Sequence, residues 1–319
     1  MSTSDEAVVI WGELLWDRFP DGDKLGGAPA NVAWHLGQAG GWARLVTRVG
    51  DDDEGRRAIE AISAFVDPSL VQIDPTRPTG EVTVVVANNN EPRYTLQPGR
   101  AWENIVCTPQ VATAISEAGV LIYGTLSQRT ASGLAEWEKA IAAAGPGCMK
   151  VCDVNLRRRA DGVMIENPHV VERALGAADV IKVNDKELAT LAATFGWSDP
   201  IETLVAPPQI TSSSSAPLAR VPTARGRRVL AVTRGAAGST LYGDGAPIEI
   251  PGVQSRPGGD NVGCGDAYLA LLVLGMTMGF DLATSGRIAS RWAAAVASVR
   301  GATPVFEDDE IAAMMELGA

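Results

Sequence analysis

The feature that most limits the fold is a regular alternation of short apolar, β-branched runs with longer helical patterns between residues 108 and 300. A helix near 108–118 precedes a strand at 119–123, and a helix at 130–144 precedes a strand at 149–153. A helix at 168–176 precedes a strand at 179–183, and a helix at 185–195 follows it. Strands at 229–233 and 239–242 and two long helices, 264–278 and 282–300, complete the run. Such strands pair in parallel, with the crossover helices covering the faces. The pattern therefore predicts an α/β fold with a mainly parallel central sheet flanked by helices. Binding sites in such sheets lie beyond the carboxyl ends of the strands.

The N-terminal third adds a strand at Val8–Trp11, an extended piece Leu14-Leu15-Trp16 running into Asp17, and turn chemistry from Phe19 to Asp23. Gly26-Gly27-Ala28 leads to Pro29 at a helix start, and Gly40-Gly41 stops that helix near Ala39. A strand at 43–49 and a helix at about 53–65, acidic in its first turn, follow. From residue 81 the period becomes that of strands. Val82 to Ala87, a turn at Asn88 to Pro92 and a return through Arg93 to Leu96 read as a β-hairpin. Residues 206–226, rich in Pro and Ser, read as a long loop. No internal repeat is present, and one domain over residues 1–319 is expected.

Composition removes several functions. Lys and Arg number 27 against 38 Asp and Glu, a net charge of −11, which leaves no broad basic face for nucleic acid. Local binding of an anion by backbone N–H groups stays open. No apolar run approaches the roughly 18 residues of a membrane span. The start is polar and acidic, unlike a signal peptide. Four cysteines (Cys107, Cys148, Cys152, Cys264) form no framework, and His35 and His169 stand at no zinc spacing. A cytoplasmic protein with reduced thiols is expected.

The most informative stretch is Asp260-Asn261-Val262-Gly263-Cys264-Gly265-Asp266, which opens into an apolar helix. Its glycines let the backbone approach a ligand, and the unpaired N–H groups of the helix start attract anions. Asp266 in that first turn would sit beside developing negative charge, where a general base is useful; from spacing alone, ordinary helix capping is the favoured reading. The common alternatives are missing. There is no G-x-x-x-x-G-K-[ST], no G-x-G-x-x-G opening a helix, no G-x-S-x-G and no H-E-x-x-H.

Five motifs together resemble the PfkB (ribokinase-like) carbohydrate kinases. Gly26 to Ala33 with Gly50-Asp51-Asp52-Asp53-Glu54-Gly55 resembles the N-terminal signature, and Asp260 to Asp266 the C-terminal one, D-T-x-G-A-G-D. Asp153-Val154-Asn155-Leu156-Arg157 resembles D-x-N-x-R, Asn184 to Glu187 matches N-x-x-E, and Thr233-Arg234-Gly235 matches T-x-G. They occur in the family's order over about residues 8–304. Asn261 replaces the usual Thr and Cys264 the usual Ala; Cys264 keeps its N–H but adds an oxidisable thiol.

The resemblance implies transfer of the γ-phosphoryl of ATP to a sugar hydroxyl, with Mg²⁺. It implies Asp266 as base and the N–H groups of Gly263, Cys264 and Gly265 as an anion hole. Asp17, Gly27, Asn31, Asn155 and Arg157 would bind the sugar; Asn184, Thr233 and Gly235 would meet the nucleotide. Glu187 would reach Mg²⁺ through water, and Asp260 with the Val262 carbonyl resembles part of a K⁺ site. For Asn184 and Glu187 a plain helix cap is the other reading. The pieces at about 13–25 and 80–100 resemble the family's β-lid, which often pairs two subunits into a homodimer. The motifs look most like those of fructokinases, with 2-keto-3-deoxygluconate kinase as the alternative. A non-catalytic sugar-binding protein on the same scaffold is the reading from a different class.

Overall fold

The computed structural model describes residues 6–19, 22–86, 92–157, 166–207 and 227–316. In chain order it forms β1 (Val8–Trp11), β2 (Leu15–Phe19), β3 (Gly22–Gly26), α1 (Ala28–Gln38), β4 (Ala43–Gly50) and α2 (Asp53–Ile62). Then come β5 (Val71–Asp74), β6 (Gly80–Val86), β7 (Pro92–Leu96), α3 (Pro109–Ser116), β8 (Val120–Tyr123), α4 (Ala131–Ala143) and β9 (Met149–Asp153). The chain continues with α5 (Pro168–Ala177), β10 (Val180–Asn184), α6 (Asp185–Phe195), α7 (Pro200–Val205), β11 (Val229–Thr233), β12 (Ser239–Tyr242) and β13 (Ile248–Ile250). Helices α8 (Cys264–Thr277), α9 (Leu282–Val296) and α10 (Asp308–Met315) end it.

Nine strands form one sheet in the order β13-β12-β11-β10-β9-β8-β1-β4-β5. It is parallel from β5 to β11, and β12 and β13 add antiparallel at one edge. Period-two alternation sorts side chains to two cores. Val8 and Ile10 of β1 and Val120 and Ile122 of β8 join one core; Val9, Trp11, Leu121 and Tyr123 join the other. Helices α1, α2, α8, α9 and α10 cover the first face, and α3 to α7 the second. Burial on both faces explains why these strands read as continuous apolar runs.

Chain order reverses direction at β1. The chain moves from β1 to β4 on one side and later returns with β8 on the other. Such a switch point leaves a crevice at the carboxyl ends of the strands. Over that end lies a second sheet, β3-β2-β6-β7, with β2 parallel to β6. The lid pieces named from the sequence thus form one sheet, separate from the main one. Glu54 of α2 holds it down: Trp16 Nε1 donates to the Glu54 carbonyl (3.0 Å) and Arg18 Nη2 to the Glu54 carboxylate (2.7 Å).

The structure corrects several boundaries. Gly22 and Asp23, read as turn, open β3, because β3 pairs antiparallel with β2 along its whole length. The short elements β5, α7, β13 and α10 carry no periodic signal of their own and were not expected. Helix α2 stops at Ile62 and α9 at Val296, short of the expected 65 and 300. The hairpin turn at 87–91, Arg158 and Arg159, and the loop from 208 to 226 lie outside the described residues.

Candidate active site

Helix α8 is apolar on every side after its first turn, with Ala267 to Leu274 all buried. A helix apolar all round belongs in a core, so this one is a fixed rod whose start opens at the crevice. Gly263 caps it with φ 77°, and a Cβ there would lie 2.6 Å from the Ala302 Cβ. Only glycine meets both demands. Ala267 is the first residue to donate into the helix, to the Gly263 carbonyl (2.9 Å). The turn Gly263-Cys264-Gly265 thus presents the N–H end of the helix dipole, and Asp266 stands beside it.

Asn31, in the first turn of α1, is 4% exposed. Its Nδ2 donates to Asp266 Oδ2 at 2.8 Å, while its Oδ1 is buried with no partner. Burial and the Asp153 charge push the Asp266 carboxyl up to about 6; Lys182, Asn31 and Arg157 pull it back. Asp17, on the lid strand β2, is pushed up to about 6 by burial, against the pull of Arg157. Gly26 and Gly27 make room there. A Cβ on Gly26 would strike the Asp17 carboxylate (2.3 Å), and one on Gly27 (φ 102°) the Glu13 carbonyl (2.4 Å).

A narrow pocket opens at the switch point. It is lined by Glu13, Ala28, Pro29 and Val32 beyond β1, by Ile122 to Leu126 at the end of β8, and by Asp153 and Asn155 beyond β9. Asn155 is the one non-glycine residue with positive φ among the described residues, at 40°. The strained turn around it is pinned on all sides. Val154 N donates to the Lys182 carbonyl (3.1 Å), and Thr125 Oγ1 donates to the Val154 carbonyl (2.9 Å). Leu156 N donates to Glu187 Oε1 (3.0 Å), and Arg157 N to Glu166 (3.0 Å). Arg157 lies near enough to lower the carboxyls of Glu13, Asp17, Glu187 and Asp266, so it is the shared cation of the site.

Further along the sheet, Asn184 and Thr233 stand side by side at the ends of β10 and β11. Asn184 Oδ1 accepts from Glu187 N, and Glu187 Oε2 accepts from Asn184 N, both at 2.8 Å. The capping-box reading is therefore right as geometry, and each oxygen of Glu187 keeps a lone pair for water. Thr233 Oγ1 donates to the Val183 carbonyl (3.4 Å), and Gly235, at φ 55°, opens the next turn. Asp260 braces its loop: Oδ1 accepts from Val262 N (3.0 Å) and Oδ2 from Gly301 N (3.1 Å). Burial pushes the Cys264 thiol up to about 12, so it stays protonated and unreactive at neutral pH.

Two buried charged residues of the site, Glu13 and Lys182, escaped the sequence reading, and Asp153 entered it only as the first letter of the D-x-N-x-R motif, without a role. Glu13, 3% exposed, lines the pocket, and burial pushes its carboxyl up to about 7. Asp153 and Lys182 form a buried ion pair, Oδ1 to Nζ 3.0 Å. A signal existed: each interrupts or closes an apolar run at a strand end, where a charge needs a partner or a use.

The family model for pfkB family carbohydrate kinases matches residues 22–309. The chain belongs to this family. This carbohydrate kinase is 28% identical over 283 residues to a fructokinase of Klebsiella pneumoniae, covering 84% of each chain. It is 26% identical over 304 residues to the sugar kinase PH1459 of Pyrococcus horikoshii, covering 93% of this chain and 86% of that one. A fructokinase of Xylella fastidiosa with bound ATP superposes with a TM-score of 0.78 at 22% identity, covering 97% of each chain. Among the described residues of the kinase, no helix is long and apolar enough to cross a membrane.

Proposed function

We propose that this kinase transfers the γ-phosphoryl group of ATP to a hydroxyl of a neutral sugar, with fructose as the acceptor. The observation that carries the reading is the Asp266 carboxylate, held by Asn31 and partly exposed beside the N–H groups of Gly263, Cys264 and Gly265. Asp266 takes the proton of the acceptor hydroxyl, the freed oxygen attacks the γ-phosphorus, and ADP leaves. The helix-start N–H groups meet the charge that spreads over the transferring group. Asn31 fixes one oxygen of Asp266, leaves the other for the acceptor and offers its own free Oδ1 to the sugar. Asp17, Gly27, Asn155 and Arg157 complete the sugar site, and Asn184, Thr233 and Gly235 the nucleotide side.

Mg²⁺ would arrive with ATP and neutralise phosphate charge. Among the described residues no cluster of three or more His, Cys, Asp or Glu side chains stands ready to hold a metal. That fits an ion carried by phosphates and water, with Glu187 reaching it through water. Asp260 would serve a K⁺ ion only through its remaining lone pairs.

Charge favours fructose over 2-keto-3-deoxygluconate. Among the described residues Asp17, Asp153 and Asp266 face the site, with Glu13 partly charged near pH 7, against Arg157 and Lys182, and Lys182 is held by Asp153. An acidic sugar would bring a further carboxylate into this excess. The test is ADP release with ATP and Mg²⁺ across fructose, 2-keto-3-deoxygluconate, ribose and adenosine, beside Asp266→Asn. Fructose should drive turnover, and the variant should lose about 10²–10⁴-fold in kcat. Turnover with the acidic sugar alone overturns the substrate, and an active variant overturns the base. Sugar binding without turnover in the unaltered protein would return the non-catalytic reading.

A further inference from the structure

Behind Asp266 lies a charge pair that the reaction as described does not use. Asp153 closes β9 and Lys182 sits opposite it on β10, as direct neighbours in the parallel ladder. Lys182 Nζ donates to Asp153 Oδ1 at 3.0 Å, and the two side chains are only 6% and 5% exposed. The second oxygen, Asp153 Oδ2, is buried without a partner, and Asp153 lines the pocket. The Lys182 ammonium presses against the first turn of α8: a Cβ on Gly265 would lie 2.9 Å from Nζ. A buried cation at the positive end of a helix is unfavourable by itself. It is tolerated here because carboxylates surround it, with Asp153 bonded and Glu187 and Asp266 near.

We infer that Asp153 and Lys182 act as a pair of positioning residues that sets the basicity of Asp266, Asp153 strengthening the base and Lys182 restraining it. The inference rests on the reading of Asp266 as the base. The charged groups facing Asp266 come from every side. They are Asp153 from β9, Lys182 from β10, Arg157 from the pinned turn and Glu13 from the end of β1, with the neutral Cys264 thiol in the same helical turn. After burial, Asp153 is the strongest influence that raises the Asp266 carboxyl, and Lys182 the strongest that lowers it. Without the pair's carboxylate, Asp266 would be a weaker base under the pull of two cations. Without its ammonium, Asp266 would hold its proton into the working pH range.

The experiment is kcat/KM against pH, from 5 to 9, with fructose and ATP–Mg²⁺. It compares the unaltered kinase, Asp153→Asn, Lys182→Gln and both together, with Asp266→Asn alongside and thermal melts for all. Asp153→Asn should move the acid limb down by about one pH unit and Lys182→Gln up by about one, the scale of a close charge. The double variant keeps an amide hydrogen bond between the strands. Its limb should lie between those of the two single variants and close to the unaltered position, because the two shifts oppose each other. Limbs that stay put, or single variants that shift the same way, overturn the inference. Where one single variant fails to fold, the other is read against the double variant: loss of the second charge must move the limb back towards the unaltered position, and a double variant displaced as far as the single one overturns the inference. An active Asp266→Asn sinks the reading of the base itself. An inactive one with unmoved limbs sinks only the role of the pair.

Discussion

Asp17 and Asp74 are the same residue at nearly the same burial, 8% and 1% exposed, and their environments drive them in opposite directions. Asp74 ends β5 at the sheet edge. Its Oδ1 accepts from Thr76 N (2.9 Å), Thr76 Oγ1 (2.9 Å) and Arg77 N (3.0 Å), and Arg48 Nε stands 3.1 Å from Oδ2. Burial raises its carboxyl, but these donors outweigh burial and hold it below the usual range. Asp52, at the start of α2, is held down the same way by Thr79 and Gly55 against burial. Around the pocket no donor among the described residues reaches Asp17, and Asp17, Glu13 and Asp266 all rise. Burial therefore does not mark the site. What marks it is a buried carboxylate with too few donors and cations of its own to hold its charge, whereas Asp74 has three donors on Oδ1 and Arg48 beside Oδ2.

The sharpest way to break this comparison is to neutralise one aspartate from each region. Asp266→Asn should lose nearly all turnover and yet melt no lower, and even higher, at pH 7.5, because it removes a buried charge. Asp74→Asn should show the reverse. It leaves Arg48 without its charge partner and weakens a turn, at a cost of about 2–3 kcal/mol. Fructose turnover of the folded fraction should stay close to the unaltered value. Calorimetry and kcat on the same preparations check both. A large loss of stability in Asp266→Asn would mean that its environment is structural after all.

Gly263→Ala comes next in size. The positive φ costs roughly 1–2 kcal/mol for an L-residue, and the contact with Ala302 forces the helix start to shift. The prediction is a moderate fall in melting temperature with a disproportionate fall in kcat, because in the proposed reaction the displaced N–H groups meet the transferring phosphoryl. Equal losses in both would remove the helix start from the chemistry.

The pH dependence of stability separates the two regions without mutation. Glu13, Asp17 and Asp266 have folded-state values raised to about 7, about 6 and about 6. Their contribution is fully present below the unfolded carboxyl values of about 4, and it is lost as pH rises through 6 to 7. Asp52 and Asp74 are lowered, so theirs is present above the unfolded value and lost as pH falls below it. Without ligands the melting temperature should peak near pH 5 and decline towards pH 8. Asp266→Asn and Glu13→Gln should flatten that decline. A peak at pH 8 would contradict the raised values.

The parallel sheet was legible because strands buried on both faces repeat the same apolar run, as β1 and β8 do, and because each is followed by a long helix. The small elements were not. Strand β3 begins with Gly22 and Asp23, turn residues by chemistry, and becomes a strand only because β2 pairs with it. The candidate site was legible where motif residues mark it, and the structure brings Asn31 and Asp266 of two distant motifs together, with Gly26 and Gly27 beside Asp17. Glu13, Lys182 and the partner of Asp153 were hidden for a physical reason. A charge at the end of a buried strand gains its meaning from residues far off in the chain. Lys182 finds Asp153 across 29 positions, and Asn31 finds Asp266 across 235.

The smallest expected effect is at Asn155. Its φ of 40° suits glycine at least as well as asparagine, and the turn is held by Val154, Leu156 and Arg157 rather than by the Asn155 side chain. Asn155→Gly should therefore change stability by no more than about 0.5 kcal/mol, the range of substitutions that remove no structural contact. Asn155 lines the pocket, so the same variant should weaken sugar binding by about one hydrogen bond, roughly tenfold in KM for fructose. The KM for ATP should stay unchanged. This pairs a residue that serves only the ligand with the Asp74 cluster, which serves only the fold. A fall of several degrees in melting temperature, with KM for fructose untouched, would move Asn155 to the structural side and return the floor of the pocket to Glu13 and Asp153.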